Sequence, residues 1–213
     1  MKRVIKKLLK KIVPRSWQKI LISIFNNNQK PSPPVAYGIT LNEGAIIKSL
    51  RKVNGPQYIV IGANSIVGNF SWLGAYDEYA GIKYSPELII GNNVNVGDFA
   101  CITCINKLRI GDGCLISEYV YISDHVHGFN PGEGLPIGQP LISKGDIYIG
   151  EMTFIGYRVS ILPGVTLGKH CVVGAHSVVT HSFPDYSMIA GIPAKIIKIY
   201  SFEQKEWIYP HDA

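Results

Sequence analysis

The amino-terminal part of the sequence lacks acidic residues: residues 1–30 carry nine of the 21 Lys and Arg but neither Asp nor Glu. The remaining 12 basic residues face 15 acidic ones, so the body is mildly acidic although the formal net charge is +6. This distribution argues against a nucleic-acid groove across the fold and favours a basic tail with a partner of its own.

Long apolar runs are also missing, and none approaches the ~20 residues that a membrane-spanning helix needs. No cleavable signal peptide is evident. On a helix, the stretch MKRVIKKLLKKIVP places Val4, Leu8 and Ile12 on one half of the circumference and Lys6 and Lys10 on the other. We therefore expect residues 1–34 to form a basic amphipathic helix and a linker. Residues 1–25 would either contact an anionic membrane surface or dock on protein.

Cysteine is scarce, and the four residues at positions 101, 104, 114 and 171 show no disulfide spacing. A single CxxC at Cys101–Cys104 without a second pair is a weak zinc signal, and no metal is expected. These features favour a reducing cytoplasm. If residues 1–25 bind lipid, the protein would lie peripherally on the inner face of the plasma membrane.

The body of the sequence is built from six-residue repeats. Aliphatic–Gly pairs recur at Ile61-Gly62, Val67-Gly68 and Leu73-Gly74, and the longest unbroken run of aliphatic residues spans 149–179. Small residues follow four positions after most members of that run, and Cys114 and Cys171 occupy such slots, which predicts buried packing thiols. A turn every six residues indicates a parallel β-helix with three short faces, about 18 residues per coil and about five coils.

These sextets, with SDHVHG, IYIGEMTFIGYRVSILPGVTLG, VVGAHSVV and AGIPAKIIK, resemble the left-handed parallel β-helix acetyltransferases of the hexapeptide-repeat superfamily over residues 58–200. The order of SDHVHG, the following repeats and the tail YSFEQKEW looks most like bacterial O-acetyltransferases of O-antigen and other surface polysaccharides. The resemblance implies an all-β domain over residues 35–200. The tail, residues 201–213, would include a short helix that closes the end.

The six-residue pattern breaks at Asp124 and resumes only at Ile149, while residues 128–140 hold four Gly and three Pro. An arm over residues 124–146 is thus expected to leave the coil and to carry functional groups. Acyl transfer to a hydroxyl needs a base, and imidazole suits that task at neutral pH. In the related acetyltransferases the catalytic His opens the equivalent arm, and the match is His125. His127 would be displaced into the loop. A backbone carbonyl is favoured over Asp124 for orienting the imidazole.

The resemblance also implies acetyl-CoA as the co-substrate, bound between the coils of neighbouring subunits in a homotrimer. The contacts that match by spacing are Tyr157, Ala175, Thr180, His181, Lys195 and Lys198. Lys195 and Lys198 suit the coenzyme phosphates. With a one-residue gap, Asp98 matches a sugar-binding Asn of those relatives. The acceptor would be a sugar or a lipid-linked saccharide.

Alternative functions stay open. An N-acetyltransferase of an amino sugar nucleotide would use the same fold, and a non-enzymatic β-helix scaffold would need no base. His176 and His181 have an HxxxxH spacing like that of γ-class carbonic anhydrases, but no His stands about 35 residues upstream. Neither the sugar nor the hydroxyl that is acetylated follows from the sequence.

Overall fold

The computed structural model describes residues 37–210, and all of them belong to or project from one parallel β-helix. The predicted amphipathic helix and linker lie outside these residues. Each coil contributes one strand to each of three parallel sheets, and six coils stack along the axis. The fold is the parallel β-helix that the repeats predict, with the left-handed coil that the family resemblance implies.

The strands are numbered in chain order, three to a coil. The first three coils and the hairpin between the second and third contain β1 (Thr40–Leu41), β2 (Ile46–Ile47), β3 (Leu50–Asn54), β4 (Ile59–Ile61), β5 (Ile66–Val67), β6 (Ser71–Ala75), β7 (Glu78–Tyr79), β8 (Ile82–Lys83), β9 (Glu87–Ile90), β10 (Asn95–Val96) and β11 (Cys101–Cys104). A 3₁₀ turn, Pro56–Tyr58, joins β3 to β4.

The later coils are separated by the arm. They contain β12 (Lys107–Ile110), β13 (Leu115–Ile116), β14 (Tyr121–Ser123), the arm strands β15 (His125–His127) and β16 (Leu141–Ser143), then β17 (Ile147–Ile149), β18 (Phe154–Ile155), β19 (Ser160–Ile161), β20 (Thr166–Leu167), β21 (Val172–Val173) and β22 (Val178–Val179). Two 3₁₀ turns, Pro131–Glu133 and Pro136–Gly138, lie in the arm.

The interior is a column of aliphatic side chains, because the last residue of most strands points inward. Four residues of the first sheet stack in this column and are fully buried: Ile61, Ile90, Ile149 and Leu167. Cys114 and Cys171 lie in the same core at 1% exposure, as their repeat slots predict. Each Sγ lies 3.2 Å from a backbone carbonyl, of Gly150 and Pro184 respectively.

The glycines of the aliphatic–Gly pairs are required by the close contact of successive coils. A Cβ built on Gly62 would lie 2.4 Å from the backbone of Gly91, and one on Gly150 would lie 2.4 Å from Gly168. Such distances are too short for any side chain. The left-handed turn residue comes two positions later and is often not glycine, as with Asn64 at φ 57°.

Two features of the coil differ from the prediction. There are six coils rather than about five, and adjacent coils are 18 residues apart only near the end, where Tyr148 pairs with Thr166. In the first coils the spacing is 20, as in the pairing of Thr40 with Val60. The extra residues form the turn before the first sheet, so the strands stay aligned despite the longer coil.

The predicted carboxy-terminal helix is wrong. After β23 (Ser187–Gly191), the chain forms an antiparallel extension of the second sheet with β24 (Ala194–Ser201) and β25 (Glu206–Ile208). Tyr200 pairs with Trp207 across the strands, with ring centroids 5.5 Å apart. A lone helix of eight residues is too short to be stable, whereas a strand completes hydrogen bonds at the sheet edge and pairs aromatic rings.

Candidate active site

The arm leaves the third sheet directly after β14. Its strands β15 and β16 pair antiparallel, with His125 opposite Ser143 and His127 opposite Leu141. The tip is held by Gln139, which is 2% exposed and whose Nε2 donates to the carbonyls of Asn130 and Gly134. These hydrogen bonds hold the two sides of the arm tip together.

Asp124 and His125 form the centre of the site. Nδ1 of His125 lies 2.8 Å from Oδ1 of Asp124, whose side chain is fully buried. The carboxylate also accepts the backbone N–H of Ile105 at 2.9 Å and that of Asn106 at 2.8 Å. Both N–H groups lie in the turn between β11 and β12, so the coil itself holds the carboxylate that contacts the imidazole.

Three hydroxyl groups support this pair. Thr103 donates to Oγ of Ser123 at 3.1 Å, and Ser123 donates to the carbonyl of His125 at 2.9 Å. Ser143 donates to the carbonyl of Asp124 at 2.5 Å. The backbone on both sides of His125 is therefore fixed by side chains from the third sheet and from the return strand of the arm.

His125 and His127 have different surroundings. The His125 side chain is 10% exposed and lines a cavity of about 370 Å³ on the outer face of the third sheet. With Nδ1 directed at Asp124, Nε2 is the nitrogen available to that cavity. His127 is exposed at the edge of the same cavity, and its ring packs against Tyr79 with centroids 5.2 Å apart.

The cavity walls are aromatic and weakly polar. Besides the two histidines, the lining consists of Trp72, Tyr76, Cys101, Thr103, Tyr121, Ser123 and Val126. Trp72, Cys101 and Tyr121 are aligned in adjacent strands. Tyr76 packs edge-on to His125 at 5.8 Å, and its hydroxyl donates to Oδ1 of Asn54 at 3.2 Å. Burial raises the pKa of Tyr76 to about 12, so this phenol is a neutral hydrogen-bonding group.

The sequence analysis did not predict a second segment that leaves the coil. This segment is the β7–β8 hairpin, which packs against the arm and forms hydrogen bonds with it. The Tyr79 hydroxyl donates to the carbonyl of Ile137 at 2.8 Å, and the Tyr84 hydroxyl accepts the N–H of Leu141 at 2.9 Å. A signal was available: Leu73-Gly74 and Ile90-Gly91 are 17 residues apart, which is not a multiple of six.

The residues matched to coenzyme binding fall on three parts of the surface. Tyr157 and Ala175 stack in adjacent coils at the corner between the second and third sheets, after the paired residues Phe154 and Val172. Lys195 belongs to the same region. It pairs with Ala190 across β23 and β24, and Ala190 lies against Gly174, where an added Cβ would be 2.9 Å from the Cβ of Ala190.

The other three matched residues lie apart from that corner. Thr180 and His181 follow β22, with Oγ1 and Nδ1 3.2 Å apart, and the His181 ring packs against Phe183. Lys198 lies on β24 with its Nζ 4.8 Å from the Tyr209 ring. One chain thus brings together Tyr157, Ala175 and Lys195 but does not gather all six.

Asp98 serves the coil rather than the cavity. Its Oδ1 accepts the backbone N–H of Asn69 at 2.7 Å, at the corner between the second and third sheets. Asn92 and Asp112 form the same kind of contact at another corner. Asp98 is absent from the cavity lining and carries no part of the site described above.

The described part of the chain, residues 37–210, contains no group of three or more His, Cys, Asp and Glu side chains placed to hold a metal ion. Nor does it contain a helix long and apolar enough to cross a membrane.

The last regular coils of the protein match a known repeat family. Residues 146–181 match the family model described as bacterial transferase hexapeptide (six repeats). The chain is thus similar, within its repeats, to hexapeptide-repeat transferases, and its described residues form a left-handed parallel β-helix.

Particular relatives are acetyltransferases by name. The chain is 38% identical over 126 residues to the putative lipopolysaccharide biosynthesis O-acetyl transferase WbbJ of Escherichia coli, covering 56% of this chain and 64% of that protein. It is 30% identical over 132 residues to the galactoside O-acetyltransferase of the same organism, covering 60% and 61%. A probable acetyltransferase of Mycobacterium tuberculosis is 36% identical over 60% of this chain and 42% of that protein. The aligned parts thus span about two fifths to two thirds of these relatives.

Solved structures confirm the fold. The N-acyltransferase AntD of Bacillus cereus, in complex with dTDP and 3-hydroxybutyryl-CoA, superimposes with a TM-score of 0.64 at 20% identity, covering 78% of this chain and 86% of that one. At this identity the likeness concerns the fold alone.

Proposed function

We propose that the chain is an acetyltransferase that moves the acetyl group of acetyl-CoA to a sugar hydroxyl, with His125 as the general base. One observation carries the proposal: a nearly buried imidazole has one nitrogen held by a buried carboxylate and the other available to a cavity. This is the geometry of an oriented base.

The reaction needs one proton to move twice. Nε2 of His125 removes the proton from the acceptor hydroxyl as its oxygen attacks the thioester carbonyl carbon. The C–O bond forms, the C–S bond breaks, and the imidazolium returns the proton to the departing sulfur. Asp124 is a positioning residue, because its contact with Nδ1 fixes the ring and favours the tautomer whose Nε2 accepts a proton.

Acetyl-CoA would supply an activated acyl group, and the corner of Tyr157 and Ala175 suits it. The backbone N–H of Tyr157 has no hydrogen-bond acceptor among residues 37–210 and would polarise the thioester carbonyl. Lys195 and Lys198 take part in none of the salt bridges within the described chain and would bind the coenzyme phosphates.

A site shared between subunits accounts for the exposed aromatic rings at this corner. Phe70, Phe99 and Tyr119 are 52%, 42% and 40% exposed, and their rings stack in a row that continues to Tyr157. Exposed apolar rings in a continuous row favour a protein contact. We therefore propose a homotrimer with donor sites between its coils.

The named relatives support a role in surface polysaccharide synthesis. Two of them carry O-acetyl transfer in their names, one with lipopolysaccharide biosynthesis. We infer a bacterial cytoplasmic enzyme that acts on a saccharide precursor. Peripheral contact with anionic membrane through residues 1–25 stays a prediction, since these residues lie outside the described part.

Labelled acetyl-CoA and paired acceptors test the proposal. The purified protein is incubated with a hydroxyl sugar and with the matching amino sugar, and the product is treated with mild alkali. O-acetylation predicts label transfer that alkali removes, because esters hydrolyse and amides resist. Alkali-stable label would favour the amino sugar alternative, and release of free acetate alone would contradict acetyl transfer to sugar.

A further inference from the structure

An irregularity in β3 places two consecutive cations over Trp72, a residue that lines the active-site cavity. The register of β3 against β6 shifts between Leu50, which pairs with Ser71, and Lys52, which pairs with Trp72. Arg51 is the extra residue. In a regular strand neighbouring side chains point to opposite faces, so Arg51 and Lys52 share a face only because of this bulge.

Both cations lie over the same cavity residue. Cζ of Arg51 is 5.4 Å and Nζ of Lys52 is 4.5 Å from the centre of the Trp72 ring. Both side chains are exposed, and the salt bridges within residues 37–210 join other residues. The ring holds the two charged groups in place without neutralising them.

Their charge reaches the cavity. Cys101, which lines it beside Trp72, has its pKa raised to about 11 by burial, while Arg51 and Lys52 act against that rise. The Trp72 end is therefore electropositive, and it belongs to the same cavity as His125. A guanidinium and an ammonium side by side match the oxygens of a phosphate or diphosphate.

We propose that Arg51 and Lys52 form a phosphate-binding subsite for the acceptor, which is a sugar joined to a phosphate or diphosphate. The sugar would lie between Trp72 and His125, with its reacting hydroxyl at Nε2 and its phosphate at the bulge. This inference rests on the proposed function for the place of the sugar, but the anion site is testable by itself.

Calorimetric titration with inorganic pyrophosphate tests the anion site. We expect the double variant Arg51→Ala/Lys52→Ala to bind pyrophosphate at least tenfold more weakly than wild type. Lys107→Ala removes another exposed cation, which lies on the first sheet, and should change affinity by less than twofold. Lys195→Ala/Lys198→Ala distinguishes binding at the proposed coenzyme site. No binding by wild type, or binding lost only in the Lys195/Lys198 variant, would overturn the subsite.

Acceptor kinetics test its use. The same sugar is offered as a nucleoside diphosphate ester, as a prenyl diphosphate ester and as a methyl glycoside. We expect kcat/KM for the better diphosphate ester, relative to the glycoside, to fall at least tenfold in the Arg51/Lys52 variant. Whichever diphosphate ester is preferred, nucleoside or prenyl, identifies the group that is joined to the phosphates in the acceptor.

The two proposals fail differently. If pyrophosphate binding depends on Arg51 and Lys52 but no acceptor is acetylated, the acetyltransferase proposal fails and the anion site stands. If the glycoside is acetylated and the ratio is unchanged in the variant, the phosphate subsite fails and the acetyltransferase stands.

Discussion

Oδ1 of Asp124 lies 2.8 Å from Nδ1 of His125, its neighbour in sequence, while the same carboxylate accepts two backbone N–H groups from the coil below. Adjacent side chains usually point apart along a strand. Here the chain turns from β14 of the coil into β15 of the arm between them, so the imidazole is fixed relative to the rigid part of the molecule. His125 and Asp124 can be tested separately.

His125→Ala should lower turnover by roughly 10²–10⁴-fold with little effect on coenzyme A affinity, because a general base acts in the transition state. Melting temperature, calorimetric coenzyme affinity and steady-state rate separate chemistry from folding. His127→Ala is the matched control in the same strand and should cost much less. If His127→Ala is the more damaging while both variants stay folded, the base has been assigned to the wrong histidine.

Asp124→Asn should lower turnover about 10–10³-fold, because an amide no longer favours the ring tautomer with a free Nε2. Nitrogen-15 spectra of the imidazole report the tautomer directly, a readout that a merely structural role would not change. Stability should also fall, by about 1–3 kcal/mol for each buried N–H left without an acceptor, measured by urea unfolding. An unaltered tautomer with full activity would remove Asp124 from the mechanism.

The Tyr84 hydroxyl should be needed to hold the arm. Tyr84→Phe removes the acceptor for the N–H of Leu141, so we expect faster protease cleavage within residues 128–140 and lower turnover. Tyr37→Phe likewise removes a hydroxyl that accepts a backbone N–H, that of Leu50 in the first coil, and serves as the control. Equal cleavage rates in wild type and Tyr84→Phe would show that the hairpin does not restrain the arm.

Alkaline pH should weaken the fold through its buried thiols. Burial raises the pKa of Cys114 to about 11 from an ordinary 9.0, and burial also raises that of Cys104. The folded state therefore holds these protons more tightly than the unfolded chain. Their contribution to the free energy of unfolding is complete below pH 9, and the part from Cys114 is lost as pH rises through about 11.

The free energy of unfolding, measured in urea at pH 8, 9.5 and 11, should fall as the pH rises. The Cys114→Ala variant should be less stable at pH 8, but its free energy of unfolding should fall less steeply with pH. Iodoacetamide should label Cys104 and Cys114 at pH 8 only after urea is added. Rapid labelling of either residue in the native protein would contradict their protonated, buried state.

The sequence allowed the repeat architecture to be predicted because each sextet reports a local requirement: an aliphatic residue for the column and a glycine where coils touch. Cys114 and Cys171 followed from the same rule. The repeat rule did not predict the β7–β8 hairpin or the carboxy-terminal strands, because both lie outside the repeat. The contact of Arg51 and Lys52 with Trp72 depends on a bulge between coils 20 residues apart, which no local pattern reveals.

We expect that one chain does not contain the whole donor site and that a neighbouring subunit completes it. The matched residues Thr180 and His181 lie on a different corner from Tyr157 and Ala175, as expected if a neighbouring subunit supplies one group. Sedimentation should therefore show a trimer. Phe99→Asn removes an exposed ring at a position of φ 60°, which Asn tolerates, so it should weaken assembly without disturbing the coil.

Coenzyme A affinity should fall together with the trimer fraction as Phe99→Asn protein is diluted, because both corners of the site are then separated. Phe202→Asn, which removes an exposed ring from the carboxy-terminal turn, is the control and should assemble as wild type does. A wild-type chain that is monomeric across the micromolar range and still transfers acetyl groups would mean that one chain contains the whole site. The exposed, stacked rings from Phe70 to Tyr119 would then have to be covered by a partner other than a second copy of this chain.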